Sequence, residues 1–324
     1  MQLPTHDDVL AAHARIAPHV VRTPMLRHPR LDAMTGGAIL LKAEPLQRTG
    51  SFKLRGATNA IRQLDAAALG RGVVAFSSGN HGQAVACAAA AVGAAATIFM
   101  PSDAPAIKAA GTRAWGAEIV TYDRARDDRA ALARAFAERT GAALVPPFDH
   151  PHVIAGQGTV ALELAQDAAA AGLAMTALLV CTGGGGLIAG CALAMEGASA
   201  GTRVHPVEPE GWDDTGRSLR SGRREQAGGG SMLCDALLAP SPGELTFAIN
   251  RARLAAGVVV SDAEVMAAIA FAFSQLKLVV EPGGAVCLAA LLSGRFDASG
   301  QVVGAVLSGG NVDPAAFVRA LSTN

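Results

Sequence analysis

Residues 49–57 read Thr49-Gly50-Ser51-Phe52-Lys53-Leu54-Arg55-Gly56-Ala57, a glycine-flanked turn that runs into a helical stretch with a lysine at its entrance. That lysine is conspicuous because only Lys42, Lys53, Lys108 and Lys277 occur in the chain, and every other fixed cation is an arginine. Arginine keeps its proton in proteins and cannot attack a carbonyl. A lysine amine can, once burial or a neighbouring cation lowers its pKa. Taken alone, Lys53 is either a nucleophile for an aldehyde or a surface lysine snorkelling at a helix start.

Outward from this turn, short apolar runs alternate with longer alanine-rich ones. The pattern predicts strands at 38–42, 72–76, 95–100, 118–121, 143–145, 177–181, 203–207 and 302–307. It predicts helices at 52–64, 82–92, 104–115, 126–139, 156–170, 187–195 and 263–273, and Thr5-His6-Asp7-Asp8 marks a further helix start. Such alternation belongs to an α/β fold whose parallel sheets are covered by helices, with ligands at the carboxyl ends of strands. Segment 217–231, with Gly222 and Gly228-Gly229-Gly230, reads as an exposed mobile loop.

The 324 residues suit about two lobes, and 51% hydrophobic against 17% charged residues supply a large core. Lys+Arg 27 balances Asp+Glu 27. No segment gathers basic residues among aromatics, so a small-molecule partner is expected rather than nucleic acid. Cys87, Cys181, Cys191, Cys234 and Cys287 are scattered, form no C-x-x-C pair, and read as buried thiols of a reducing, cytoplasmic setting. No basic segment followed by an apolar core opens the chain. The uncharged runs 82–102 and 168–195 are interrupted by Gly93, Pro101 and four successive glycines, and so read as helix, turn and strand rather than as membrane spans.

Three polar or glycine-rich turns follow predicted strands: Ser77-Ser78-Gly79-Asn80-His81-Gly82, Thr182-Gly183-Gly184-Gly185-Gly186-Leu187 and Ser308-Gly309-Gly310-Asn311. In the glycine tetrad, backbone N–H groups can approach an anion at the positive end of the next helix; close helix–strand packing would need the same glycines. The tetrad lacks the Lys-Ser/Thr of a P-loop and does not fit G-x-G-x-x-G with a later acidic partner, which removes the main support for a nucleotide-binding oxidoreductase. The Ser77–His81 turn suits a carboxylate or a simple helix cap, and His81 reads equally as a base or as a structural histidine. No G-x-S-x-G elbow is present.

Together these pieces resemble one family. Glu44-Pro45-Leu46-Gln47-Arg48 followed by Thr49 to Ala57 looks like the cofactor-lysine motif of serine/threonine dehydratases and serine racemases, which are fold-type II, tryptophan-synthase-β-like pyridoxal phosphate enzymes. Residues 77–81 and 183–187, Glu281-Pro282-Gly283-Gly284-Ala285 and Ser308 to Asn311 match its other hallmarks in order, and the resemblance spans residues 23–313. It implies a large cofactor-binding domain of residues 1–55 and 150–324, a small mobile domain of residues 56–149 carrying the substrate loop, and a homodimer. By the same resemblance Lys53 carries the cofactor as a Schiff base, beside Phe52. Gly183, Gly184, Gly185 and Gly186, with Leu187, hold its phosphate; Asn80 meets the 3′-oxygen and Ser308 the ring nitrogen, and Glu281 belongs to the cofactor set. Ser77, Ser78, Asn80 and His81 would surround the substrate carboxylate. A non-catalytic pyridoxal-binding module would need a lost lysine, and a β-replacement synthase fits the lysine motif less well.

The implied chemistry is β-elimination. The freed Lys53 amine takes the α-proton, and the β-hydroxyl leaves, protonated through the cofactor phosphate, to give a 2-oxo acid and ammonia. Acting near pH 7–8 requires the amine to fall roughly 2–3 units from about 10.4; desolvation or a cation such as Arg55 could supply this. A neutral Ser308 at the ring nitrogen disfavours long-lived carbanions and favours lyase work over transamination. Ser78, on the face opposite the lysine in racemases, permits racemisation as a second activity. Glu208, the Trp212 carbonyl and Asp214 resemble the racemase-type Mg²⁺ or Ca²⁺ segment, a hard-cation oxygen set, while an acidic solvated loop is the other reading. Leu233-Cys234-Asp235-Ala236 and Ser241 to Phe247 depart from the family and stand where relatives line the substrate side, so serine, threonine, 3-hydroxyaspartate and bulkier 3-hydroxy amino acids stay open. His150 and residues 217–224 offer cations for a second carboxylate or simply a charged surface. With the chain ending soon after Asp313, no regulatory domain is expected and a catabolic role is the expectation.

Overall fold

The computed structural model describes residues 3–77, 79–104 and 106–322. Its strands are β1 (Met25–Leu26), β2 (Ala38–Ala43), β3 (Val73–Phe76), β4 (Ala96–Pro101), β5 (Glu118–Tyr122), β6 (Ala143–Leu144), β7 (Ala177–Cys181), β8 (Arg203–Pro209), β9 (Val258–Val260) and β10 (Val302–Leu307). They form a six-stranded sheet in the order β1-β2-β10-β7-β8-β9 and a four-stranded sheet in the order β5-β4-β3-β6. Every pairing is parallel except that of β1 with β2. The chain thus starts the larger sheet, leaves to build the smaller one, and returns to insert β10 between β2 and β7.

β3, β7 and β10 are apolar along their whole length because helices cover both faces, leaving no face for polar alternation. β7 is buried at every position, and it packs with Gly186–Ala198 and with Pro282–Leu292. One core joins residues of 9–43 to residues of 154–320, and separate clusters within 16–153 surround the smaller sheet. The result is an α/β fold of two lobes, each a mainly parallel sheet flanked by helices.

The eight predicted strands recur to within a residue or two at each end. β1 and β9, of two and three residues, are too short to leave a periodic signal. The helices Pro29–Thr35, Ala66–Arg71, Asp214–Ser221, Glu244–Asn250, Pro282–Leu292 and Pro314–Ser322 were not expected either. Pro282–Leu292 is buried from Pro282 to Leu291, so it carries no amphipathic period, and its opening Pro-Gly-Gly imitates a turn. The expected loop 217–231 is helical up to Ser221. Beyond that it is tied back by Gly229 N–H to the Gly211 carbonyl (3.0 Å) and Trp212 Nε1–H to the Ser231 carbonyl (3.0 Å). The two uncharged runs do split into helix and strand, and among the described residues no helix is long and apolar enough to cross a membrane.

Candidate active site

Carboxyl ends of β2, β3, β7 and β10 converge on a cleft of about 1000 Å³, open solvent at its mouth included, lined by the three polar turns and the Lys53 turn. Lys53 opens the helix Lys53–Ile61, and the turn before it is sewn to the Ser308 turn. Phe52 N–H donates to the Ser308 carbonyl (3.0 Å), Gly310 N–H to the Gly50 carbonyl (2.8 Å), and Ser51 bridges Gly309. Gly50 sits at φ 71°, which a side chain would strain, and a Cβ there would press on Asn311. The lysine is thereby held opposite β10 despite lying far from it in sequence.

Lys53 Nζ donates to the Pro147 carbonyl (2.7 Å) and lies 5.2 Å from the centre of the Phe52 ring. Desolvation lowers its pKa to about 8. Arg55, a candidate cause, plays no part in this. Its fork is consumed by Glu44 (2.8 and 2.9 Å) and Glu163 (2.8 and 2.9 Å), with Lys42 Nζ on Glu163 as well (2.7 Å). All four charges are buried, a balanced cluster under the lysine helix.

The tetrad Gly183–Gly186 follows β7 and starts the helix Gly186–Ala198, with Gly185 at φ 91°. Among the described residues the N–H groups of Gly184, Gly185 and Gly186 donate to nothing in the protein, a set of free donors at a helix N-terminus. Close packing accompanies these free donors, since a Cβ on Gly184 would lie 2.5 Å from the Phe148 ring and one on Gly183 would lie 2.8 Å from the Leu237 carbonyl.

Asn80 begins the helix Asn80–Ala90, accepts from Asn311 Nδ2 (2.8 Å) and donates to Glu281 Oε1 (2.5 Å). Glu281 therefore stands behind Asn80, and burial, only partly offset by Lys108, raises its pKa to about 7. The Ser77 hydroxyl accepts from Gly79 N–H (3.0 Å). Ser78 lies outside the described residues. His81 Nε2 faces the Val145 carbonyl (2.8 Å), so that nitrogen carries the proton and Nδ1, buried without a partner, is a lone-pair acceptor. Burial and then the Lys53 charge lower its pKa to about 3, so it is a neutral imidazole. Ser308 is buried at the end of β10 and lines the cleft with Cys181.

Several lining residues left no motif in the sequence. Lys108, almost fully buried, pairs with Asp235 (2.6 Å) and Glu281 (3.6 Å). Arg129 lies over the Phe76 ring at 5.8 Å, and among the described residues it has no carboxylate partner at salt-bridge distance. The rarity of lysine is the one signal by which Lys108 stands out in the sequence, though it was not read as a site residue; nothing singles out Arg129 among the arginines. The cations suggested by sequence lie elsewhere: His150 lines a separate groove with Arg15 and Asn59, Arg217 pairs with Asp213, and Arg224 pairs with Glu244. Ser241–Phe247 does not line the cleft either; it packs behind the glycine tetrad.

At the metal segment, Glu208 accepts from Thr215 N–H and Gly216 N–H, both at 2.8 Å, while Asp214 Oδ2 is buried without a partner. Burial raises Glu208 to about 8 and Asp214 to about 7. The orphaned Asp214 oxygen fits a cation. Among the described residues, however, no group of three or more His, Cys, Asp or Glu is placed to hold one. All five cysteines are free and buried.

The family model described as pyridoxal-phosphate dependent enzyme matches residues 16–309. L-threo-3-hydroxyaspartate ammonia-lyase of Pseudomonas sp is 44% identical over 313 residues, covering 97% of each chain. Among solved structures, maize serine racemase superposes with a TM-score of 0.93 at 36% identity, covering 99% of this chain and 98% of that one. Serine racemase from Dictyostelium discoideum gives 0.88 at 35%, covering 96% and 99%. With a lysine amine, a free-donor glycine turn and a buried hydroxyl facing one cleft, and with a family match over most of its length, this chain belongs to the pyridoxal-phosphate dependent enzymes.

Proposed function

We propose that the protein is an ammonia-lyase that converts a 3-hydroxy amino acid to a 2-oxo acid and ammonia, with a 3-hydroxyaspartate as the preferred substrate among serine, threonine and their relatives. The observation that carries the lyase reading is Lys53, a cleft-facing amine whose pKa of about 8 lets it accept a proton near neutrality. The residues present fit pyridoxal phosphate: an amine for its aldehyde, free N–H donors for its phosphate, and the Ser308 hydroxyl for its ring nitrogen. Bound there, the cofactor supplies an electron sink for the carbanion formed at the substrate α-carbon.

The rest is work for the chain's own groups. Lys53 Nζ takes the α-proton. The Asn80 amide, fixed on both sides by Asn311 and Glu281, keeps its position without reorganising. Neutral His81 meets a substrate carboxylate through its backbone N–H, since its free ring nitrogen can only accept. Arg129, a cleft cation with no carboxylate partner among the described residues, supports the dicarboxylic substrate, as does the name of the Pseudomonas relative. The small domain, residues 56–149, would bring Arg129 and the Asn80 turn onto the cofactor domain, residues 1–55 and 150–324. Asp214, Glu208 and the Trp212 carbonyl are the ligand set for Mg²⁺ or Ca²⁺, supported by the orphaned Asp214 oxygen. The homodimer that the family resemblance implies is part of the same proposal, and a cytoplasmic setting is supported by the unpaired cysteines.

The test is a panel of L- and D-serine, threonine and 3-hydroxyaspartate isomers assayed for ammonia and 2-oxo acid, with chiral analysis of remaining substrate. Purified protein should show an absorbance band from cofactor bound to Lys53, lost in Lys53→Ala together with turnover. A colourless protein that binds no pyridoxal phosphate would refute the reading. Inversion outrunning ammonia release would make it a racemase.

A further inference from the structure

We infer that Thr246 and Asp149 form a brace behind the glycine tetrad that aims its N–H groups into the cleft, and that they are positioning residues for the cofactor phosphate. The inference rests on the cofactor reading above. It explains Ser241-Pro242-Gly243-Glu244-Leu245-Thr246-Phe247, a stretch that the substrate side does not use.

The Gly184 carbonyl accepts twice from this stretch, from Thr246 Oγ1–H at 2.8 Å and from Gly243 N–H at 3.2 Å. Both lone pairs of that oxygen are satisfied. In a trans peptide the carbonyl of one residue and the N–H of the next point in opposite directions. Pinning the Gly184 oxygen toward Thr246 therefore turns the Gly185 N–H the other way, toward the cleft. A Cβ on Gly185 would lie 3.0 Å from Thr246 Cβ and Oγ1, so the threonine also fills the space behind the turn.

Thr246 is itself held. Asp149 Oδ1 accepts from Thr246 N–H (3.0 Å) and Oδ2 from Glu244 N–H (2.9 Å), while a Cβ on Gly243 would collide with the same carboxylate. Asp149 adjoins Phe148, whose ring and backbone close on Gly184 and Gly186. One face of the tetrad is thus set by fixed contacts, and the other is left with unused donors. Preorganised donors of this kind hold an anion without ordering cost when it arrives.

The experiment compares pyridoxal phosphate with pyridoxal, the same aldehyde without the phosphate, binding to cofactor-stripped protein followed by absorbance. Thr246→Val should raise the Kd for pyridoxal phosphate roughly tenfold, the effect of losing one to two hydrogen bonds' worth of positioning. The Kd for pyridoxal should stay within about twofold. Thr246→Ser, which keeps the hydroxyl, should restore tight binding, and Asp149→Asn should weaken the phosphate form in the same selective way. Equal weakening of both ligands in Thr246→Val and Asp149→Asn, or no change in either, would overturn the brace alone. Wild-type protein that binds neither ligand would overturn the cofactor assignment itself.

Discussion

At the scale of single residues, two cations of the cleft differ in kind, and burial acts on the first of them, Lys53. Desolvation leaves the Lys53 amine at about 8, below its usual 10.5, so the unfolded chain holds a proton between those values that the folded chain has released. Stability from this group therefore rises with pH from about 8 to about 10.5, and the buried charge opposes folding in full below 8. Cofactor-free Lys53→Met should be more stable than wild type in urea at pH 7, with the difference shrinking by pH 10; a constant difference would refute the assignment. Arg129 is the second, a cleft cation that lies over the Phe76 ring and has no carboxylate partner among the described residues. Arg129→Met should cut kcat/KM for 3-hydroxyaspartate roughly a hundredfold while leaving serine within about threefold. An equal loss on both substrates would show that Arg129 does not read the second carboxylate. Lys53 was legible from the chain because lysine is rare and its motif distinctive. Arg129 was not, since only its position relative to the cleft distinguishes it from other arginines.

At the scale of elements, the lysine helix is anchored from below by charge and from above by the Ser308 turn. Lys42, Glu44, Arg55 and Glu163 compensate one another in a buried cluster, and the Arg55 fork ties the helix Lys53–Ile61 to the end of β2 and to Pro151–Ala170. Removing one member strands the others out of water. Arg55→Met should cost about 3–5 kcal/mol by urea unfolding. Arg55→Lys should recover only part of this, because an ammonium cannot reproduce the bidentate fork. A loss below about 1 kcal/mol in Arg55→Met would show the cluster to be dispensable. From sequence, Arg55 was a candidate for tuning Lys53; its partners Glu44 and Glu163 lie on other elements, and that pairing exists only once they pack.

At the scale of the whole molecule, the cleft exists because strands from two sheets end facing one another. Asp214 and Glu208 lie outside that cleft, at the start of the helix Asp214–Ser221 and on β8, and among the described residues Asp214 Oδ2 is unpartnered. Protein stripped with a chelator should gain thermal stability on adding Mg²⁺ or Ca²⁺, and Asp214→Asn should abolish the gain. A gain that persists in the variant would place the cation elsewhere.

The alternation of apolar strands and helical runs, the lysine turn and the ordered glycine and serine motifs were decided by the sequence alone. Each depends on local periodicity or on contiguous residues, which a linear reading can see. The tertiary structure alone decided which cations line the cleft, what lowers the Lys53 pKa and which residues pack behind the tetrad. Those depend on residues far apart in the chain whose meeting follows from the return of β10 between β2 and β7. Burial and neighbouring charge belong to that packing, not to any stretch of sequence.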